Sequence, residues 1–540
     1  MNRPKNPSRE ESKKSAGEST DFERREILKG LATLPVVGLF FYNVWKKRRL
    51  ERLKRSSLLA DLIADRQAPA VVTPTARGEH LRLGIIGYGG RGEHLVRAAG
   101  FAHPDWVEQK ASDAKKDKLD KAFETFMQQE DLNVSLVGVC DLFDVRAERG
   151  LAASSNEIRP GGKPREGAKR YGHYTELLES DEIDAVIIAT PDHWHSRIAM
   201  DAAGVGKHVY CEKAMTRTFP EAVEMYHTIK KSGIVFQLGH QNRQVETHEH
   251  AKRIVEEGLL GPVTLVEVTT NRNSPWGAWV WDIHPRASEK TIDWATFQEP
   301  APHKIPFGQE ALERFFRWRM WYDYGTGLSG DLFSHEFDAV NQIMGLGIPK
   351  YAAATGGIYF YKDGRDVPDV FQASLEYPDR NLTLLYSATL ANGNNRGNVF
   401  MGHDATMQIG GAADDFAFSG LTVRADAEST RYREKLESGV INPSLPLYTY
   451  APGSKQIDGI TSPTAKYFAS KGLVYTYREG KRVDPTHLHV KDWLVSIRNG
   501  TQPKCDIEMG FQEAVACHMT TEAYLRGKRV EWDPRKNQIV

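Results

Sequence analysis

The stretch GKHVYCEKAM (206–215) begins like a buried strand and then meets two full charges. Val209, Tyr210 and Cys211 suit a half-buried pleated surface. Glu212 and Lys213 follow where such a strand would leave its sheet. Strand ends are often charged simply because they reach the surface. In α/β enzymes, however, the carboxyl end of a parallel strand is also where the chemistry is kept. A lysine partly desolvated in a crevice can shift its pKa enough to handle protons near neutrality. A second candidate set lies in GDLFSHEFD (330–338). On a helix, Asp331 and His335 would share one face at i, i+4. A carboxylate beside an imidazole fixes its tautomer and raises its basicity, which suits general acid/base work. The same spacing also makes a surface ion pair or half a metal site. No cysteine or paired histidine stands nearby to complete a zinc set, so no metal is expected.

A nucleotide signal precedes both. Gly87-Tyr88-Gly89-Gly90-Arg91-Gly92 fits G-x-G-x-x-G. Glycines there let the backbone turn tightly and approach a pyrophosphate, which sits on the positive end of the next helix. The pattern falls between a strand-like and a helix-like segment, the context its mechanism requires. The ribose-binding acid should end the second strand, and Asp141 does. It comes later than the usual ~20 residues, and a charged segment at 101–131 accounts for the delay. An acid there accepts from a free 2′-hydroxyl and repels a 2′-phosphate. NAD is therefore expected, with NADP the alternative because Arg146 lies close by. ATPDHWH (189–195) follows the third strand, and its loop must pass the dinucleotide in such a crevice. That assigns Thr190, Pro191 and His195 to the cofactor. His193 and His195 would equally serve as capping or packing residues.

The elements that would position these residues alternate. LRLGII, VSLVGVC, IDAVIIA, HVYC and IVFQLG read as buried strands, with helix-compatible sequence between them. Pro220 near its start and Gly233 at its stop delimit one helix. The 101–131 segment reads as an inserted solvated helix. Such alternation predicts an α/β fold with an N-terminal parallel, Rossmann-type sheet. After about 260, β-rich segments follow one another across turn-sized gaps, which predicts a C-terminal α+β domain with a largely antiparallel sheet. A tryptophan-rich stretch (276–330) precedes most of them. Trp276, Trp279, Trp281, Trp318 and Trp321 would stack on sugar faces or pack a core. Residues 412–485 give no clear pattern, and the end reads as two helices. The expected domains are 1–80, 81–240 and 241–540.

The totals exclude little. Lys plus Arg and Asp plus Glu each number 71, so no global charge draws the chain to nucleic acid. Four scattered cysteines make no disulfide framework. The N-terminus is distinctive. A polar tail ends in Arg24-Arg25, and an uncharged run follows at 30–45. A twin arginine before a modest apolar segment resembles a Tat export signal. The run is short for a membrane span, Pro35 interrupts it, and the basic block KKRRLERLKR follows. The expectation is a periplasmic or membrane-anchored protein, with a cytoplasmic one as the alternative.

Taken together, the motifs resemble the Gfo/Idh/MocA family, the relatives of glucose–fructose oxidoreductase and inositol dehydrogenase. The resemblance covers 81–345 and rests on order and spacing: glycine fingerprint, Asp141, ATPDHWH, GKHVYCEK, GHQNR and D-x-x-x-H. It implies that the E-K pair sits beside the nicotinamide, which adds Glu212, Lys213 and, from GHQNR, Gln241 to the cofactor residues Gly87, Tyr88, Gly89, Gly90, Arg91, Asp141, Thr190, Pro191 and His195. It also implies that Lys213, Asp331 and His335 are the catalytic side chains. Ala214 departs from the proline usual at that position. The activity implied is NAD(P)-dependent oxidation of a sugar, cyclitol or related polyol, in a homo-oligomer. An NAD-dependent glycosidase working by transient oxidation and elimination is the alternative, and a non-catalytic NAD-binding scaffold a third.

Export and mechanism are linked, because outside the cytoplasm there is no free NAD pool. An exported enzyme would have to retain its cofactor and close its redox cycle on a second substrate or on its product. A reporter fused after residue 80 should leave the cytoplasm, and a signal carrying Arg24→Lys with Arg25→Lys should keep it inside. Equal cytoplasmic retention of both would end the export reading.

Overall fold

The computed structural model describes residues 78–155, 167–410, 420–450, 476–478 and 481–540. The twin arginine, the apolar run, the basic block and much of 412–485 lie outside the described residues. The elements below belong to one compact unit, Ala68–Glu434 with Asn442–Val540. Among the described residues, no helix is long and apolar enough to cross a membrane.

The first sheet contains β1 (Leu81–Ile86), β2 (Val134–Cys140), β3 (Lys169–Tyr171), β4 (Ala185–Ile188), β5 (His208–Cys211) and β6 (Phe236–Leu238), in the order β3-β2-β1-β4-β5-β6. Every pairing in it is parallel. Helices on both faces bury its strands, which is why β4 and β5 are continuous apolar runs. Gly84 and Gly138 lie on one side, where a Cβ would come 2.8 Å from Leu177 at Gly84 and 2.8 Å from Ile183 at Gly138. The helix Phe219–Ser232 begins with a Thr218–Glu221 capping box and stops at Gly233, which is left-handed at φ +74°. Strand order reverses between β1 and β4, and a crevice opens there.

The insertion at 101–131 differs from expectation. It forms two helices, Pro104–Lys116 and Ala122–Met127. Asp117 accepts from the Leu119 amide and Asp120 from the Ala122 amide, so side chains satisfy the turn that separates them.

The second sheet has ten strands. They are β7 (Val263–Asn271), β8 (Tyr351–Gly357), β9 (Val370–Tyr377), β10 (Leu382–Thr389), β11 (Asn398–Gly402), β12 (Ala405–Ile409), β13 (Leu421–Ala425), β14 (Tyr448–Tyr450), β17 (Val530–Asp533) and β18 (Gln538–Ile539), while β15 (Thr476–Arg478) and β16 (Lys481–Val483) pair separately. All neighbours run antiparallel except β7 and β10. Strands β9 and β10 alternate burial. Their inner residues Phe371 and Tyr386 meet Tyr524 of the helix Ile507–Arg526 and Phe333 of the segment before the helix Ser334–Met344. The carboxyl end of β7 thereby lies over the crevice of the first sheet.

The chain also returns to its first domain. Two C-terminal helices form as expected, but Pro485–Asn499 packs into the first sheet's core. Val490, Trp493 and Leu494 share one cluster with Leu83, Ile85, Leu95 and Tyr210. The Gln237 side chain donates to the His489 carbonyl at 2.7 Å, and at the edge beyond β6 the Leu238 amide donates to the Cys505 carbonyl at 2.9 Å. The division expected at residue 240 therefore does not hold for 485–499. Trp493 is fully buried against Tyr210. Trp493→Ala should cost about 3–5 kcal/mol in denaturant unfolding. An unchanged midpoint would show that this helix is not part of that core.

Candidate active site

A cavity of about 1220 Å³ occupies the switch point and runs on beneath the end of β7. Its floor is the glycine turn. Gly87 has φ +88°, and a Cβ there would lie 2.7 Å from the Ala189 carbonyl oxygen. At Gly92 a Cβ would lie 2.1 Å from the Gly87 carbonyl oxygen, so any side chain would force the helix away. Gly89 caps the helix Gly90–Ala98 without a side chain, and both Gly89 and Gly90 line the cavity. The helix start therefore offers bare amides to an anion. The turn fits a dinucleotide pyrophosphate.

Asp141 lines the cavity and accepts from the Tyr88 amide at 2.6 Å and the Phe143 amide at 2.9 Å. Burial pushes its pKa up, opposed by Arg146 and by those two amides. Arg146 lies over the rings of Phe143, Phe315 and Phe316 in the same wall. On the far side Arg91 donates to Glu212 at 2.7 Å and to Gln241 at 2.9 Å. Three residues assigned to the cofactor from separate motifs thus form one hydrogen-bonded group. Thr190 and Pro191 line the cavity between them.

Two of the assigned residues do not reach the cavity with their side chains. The Tyr88 ring is buried against Gly150, and only its amide serves the site. His195 is buried with its ring nitrogens facing the carbonyls of Thr190 at 2.8 Å and Ala214 at 2.7 Å. It ties the loop after β4 to the loop after β5 rather than touching a ligand. His193 donates to the Phe297 carbonyl, and burial lowers its pKa to about 3. It is a packing residue.

The loop after β5 carries the other half of the site. Lys213, followed by a cis peptide to Ala214, donates to the Asp331 carboxylate and to the Asp331 carbonyl, both at 2.7 Å. Arg319 donates to the same Oδ1 at 2.9 Å, and the Trp279 indole to Oδ2 at 3.0 Å. Burial alone would raise the Asp331 pKa, but Lys213 and Arg319 hold it far below the usual carboxylate range. Asp331 lies in a π-helical turn, Ser329–Phe333, that leads into the helix Ser334–Met344. Gly330 allows the turn to approach Thr326, whose hydroxyl would lie 2.1 Å from a Cβ.

The pairing expected between Asp331 and His335 does not form. Two cations and an indole already take the carboxylate, and His335 Nδ1 is buried with no hydrogen-bond partner among the described residues. Its ring meets the edge-on ring of His240 at 5.5 Å, and His240 Nε2 stands 3.7 Å from Glu513. Burial, then Lys213 and His240, hold the His335 pKa well below its ordinary value. His335 is a neutral imidazole at pH 7.

Sequence reasoning missed three residues on this wall, Arg319, Arg272 and Glu336, and named Trp279 only as a stacking or core residue, not as a partner of Asp331. Only Glu336 lay inside a recognised motif. It accepts from Asn398 at 2.7 Å and from Thr270 at 3.4 Å, and burial pushes its pKa up to about 7. Trp276, Trp281 and Trp318 also line the cavity, whereas Trp321 is buried with Arg314 over its ring. Among the described residues no group of His, Cys, Asp and Glu is placed to hold a metal ion, and all four cysteines are free and buried.

A glycine-cradled dinucleotide crevice of this kind belongs to the NAD-binding oxidoreductases. Residues 81–240 match the Gfo/Idh/MocA oxidoreductase family with an NAD-binding Rossmann fold. A levoglucosan dehydrogenase of Pseudarthrobacter phenanthrenivorans is 27% identical over 208 residues, 36% of this chain and 45% of the relative. A 2,7-anhydro-N-acetylneuraminate hydratase of Escherichia coli is 24% identical over 214 residues, 39% of this chain and 46% of the relative. The matched region thus spans about half the length of these curated relatives. The solved structure of a levoglucosan dehydrogenase with NADH and levoglucosan superposes at TM-score 0.52 and 17% identity, covering 84% of this chain and 99% of that one. At that identity the likeness is one of fold.

Glu336 supplies a test of the site's electrostatics. Folded, it keeps its proton to about pH 7, whereas its ordinary pKa is 4.5. The folded state binds the extra proton between those values, so stability falls as pH rises across them. Glu336→Gln should therefore gain on the parent from pH 4.5 to 7, by on the order of 2 kcal/mol in urea unfolding. A difference that stays constant across this window would refute the assignment.

Proposed function

We propose that this protein is an NAD-dependent oxidoreductase that takes hydride from a secondary hydroxyl of a sugar, cyclitol or related polyol. One observation carries the reading. The Lys213–Asp331 pair and a neutral His335 face the same cavity as the glycine turn. Bound NAD supplies the hydride-accepting ring. His335 accepts the hydroxyl proton, since burial and its cationic neighbours keep its imidazole unprotonated at neutral pH. Lys213 donates to the same substrate oxygen as negative charge develops on it. Asp331 does not share the proton, because Lys213 and Arg319 hold it ionised. Its part is to fix Lys213 in place. The Trp276, Trp281 and Trp318 rings supply flat apolar faces for the substrate.

Lys213→Met and His335→Ala should each lower kcat by about 100-fold or more. NADH affinity, read by fluorescence titration, should stay within a few-fold of the parent. Turnover unaltered in both variants would rule the assignment out.

Glu336 favours one further reading. Oxidation followed by elimination needs a second group to move a carbon-bound proton, and a carboxyl poised near pH 7 beside His335 suits that task. On this route water adds to the unsaturated ketone left by elimination, the hydride returns to the product, and the net reaction is glycoside hydrolysis. Sugar release without net NADH formation would select it over simple dehydrogenation.

A further inference from the structure

The cavity wall beyond the glycine turn carries Lys213, Arg319 and Arg272 against Asp331, Glu336 and the exposed Asp282. Asp331 accepts from Lys213 and Arg319 on a single oxygen, so one negative charge already lies between two cations. Arg272 adds a third from the end of β7. Its backbone amide donates to the Thr389 carbonyl, and its stem runs along Gly277, where a Cβ would lie 3.2 Å from the Arg272 Cβ. The guanidinium lines the cavity, half-buried, and makes no hydrogen bond or ion pair with the described residues. Burial lowers its pKa, with Asp331, Tyr386 and Glu336 acting against that and Arg319 adding to it. The nearby carboxyl of Glu336 gives little relief. Its oxygens face Asn398 and Thr270, and burial leaves it only partly ionised at neutral pH.

A half-buried guanidinium with no acid partner favours an anion beside it. The phosphates of a dinucleotide belong at the glycine turn, where the helix Gly90–Ala98 presents its amides. Lys213 and the Nε of Arg319 share one Asp331 oxygen, and Lys213 also serves the substrate hydroxyl in the proposed reaction. Arg272 differs from both in lining the cavity with no acid partner among the described residues. A planar fork grips a carboxylate or a phosphate bidentately, and one unpaired cation balances the single charge of a carboxylate.

We propose that the substrate is an acidic sugar, of the uronic- or aldonic-acid class, whose carboxylate is gripped by Arg272 while its secondary hydroxyl faces Lys213 and His335. This rests on the oxidoreductase reading but is tested apart from it. Calorimetry on the NADH-loaded protein would compare glucuronate with glucose, galacturonate with galactose, and glucose 6-phosphate as the competing anion. At least one uronate should bind about ten- to a hundredfold tighter than its neutral partner. Arg272→Gln should bring that ratio near one with NADH affinity unchanged, and Arg272→Lys should restore part of it. A ratio near one in the parent, or one that survives Arg272→Gln, overturns the proposal. So does tighter binding of the phosphate, or no binding by any acid. Uronate binding that depends on Arg272 without NAD reduction would keep this inference and remove simple dehydrogenation. Turnover of neutral and acidic sugars alike would do the reverse.

Discussion

The Asp331 carboxylate is the joint on which the site depends. Lys213 arrives from the loop after β5, Arg319 and Trp279 from the tryptophan-rich stretch, and Asp331 from the turn before the helix Ser334–Met344. A buried carboxylate with one partner would be a liability. With two cations and an indole it is satisfied on both oxygens. Removing the carboxylate would leave two cations without an acid in a dry place, so the crevice and the second sheet are held together where the chemistry is proposed to occur.

The same arrangement sets the state of its neighbours. Because Asp331 is occupied, it does not hydrogen-bond His335. The histidine instead feels Lys213 on one side and His240 on the other, and both act with burial to keep it neutral. A proton acceptor and a hydrogen-bond donor can then share one cavity at one pH. Glu336, one residue further on, faces Asn398 and Thr270 on the second sheet, and burial moves it in the opposite direction. Neighbouring positions on one helix thus carry groups with separated protonation behaviour.

Positioning falls to residues that touch no ligand. His195 spans the Thr190 and Ala214 carbonyls and fixes the distance between the loops after β4 and β5. Arg91 gathers Glu212 and Gln241 into one group at the crevice wall. The helix Pro485–Asn499 closes the core behind β5 and β6. The part of the site nearest the glycine turn is therefore braced by chain from 400 residues further on.

Alternation of apolar runs with helix-compatible segments was enough to read the parallel sheet. The glycine turn was legible for a stronger reason: Gly87 and Gly92 leave no room for a Cβ, so the local backbone itself demands those residues. Lys213 announced itself as a charge at the end of an apolar strand. These features depend on near neighbours in the chain, and near neighbours are what a sequence displays. Tertiary structure alone decided which cations Asp331 would take, since Lys213 stands 118 positions away and Arg319 sits in a single 3₁₀ turn, Trp318–Met320, too short to show periodicity. It likewise turned His195 toward backbone carbonyls and left Arg272 without an acid. Electrostatic partners are chosen by distance and burial in space, and a linear spacing such as D-x-x-x-H does not encode them.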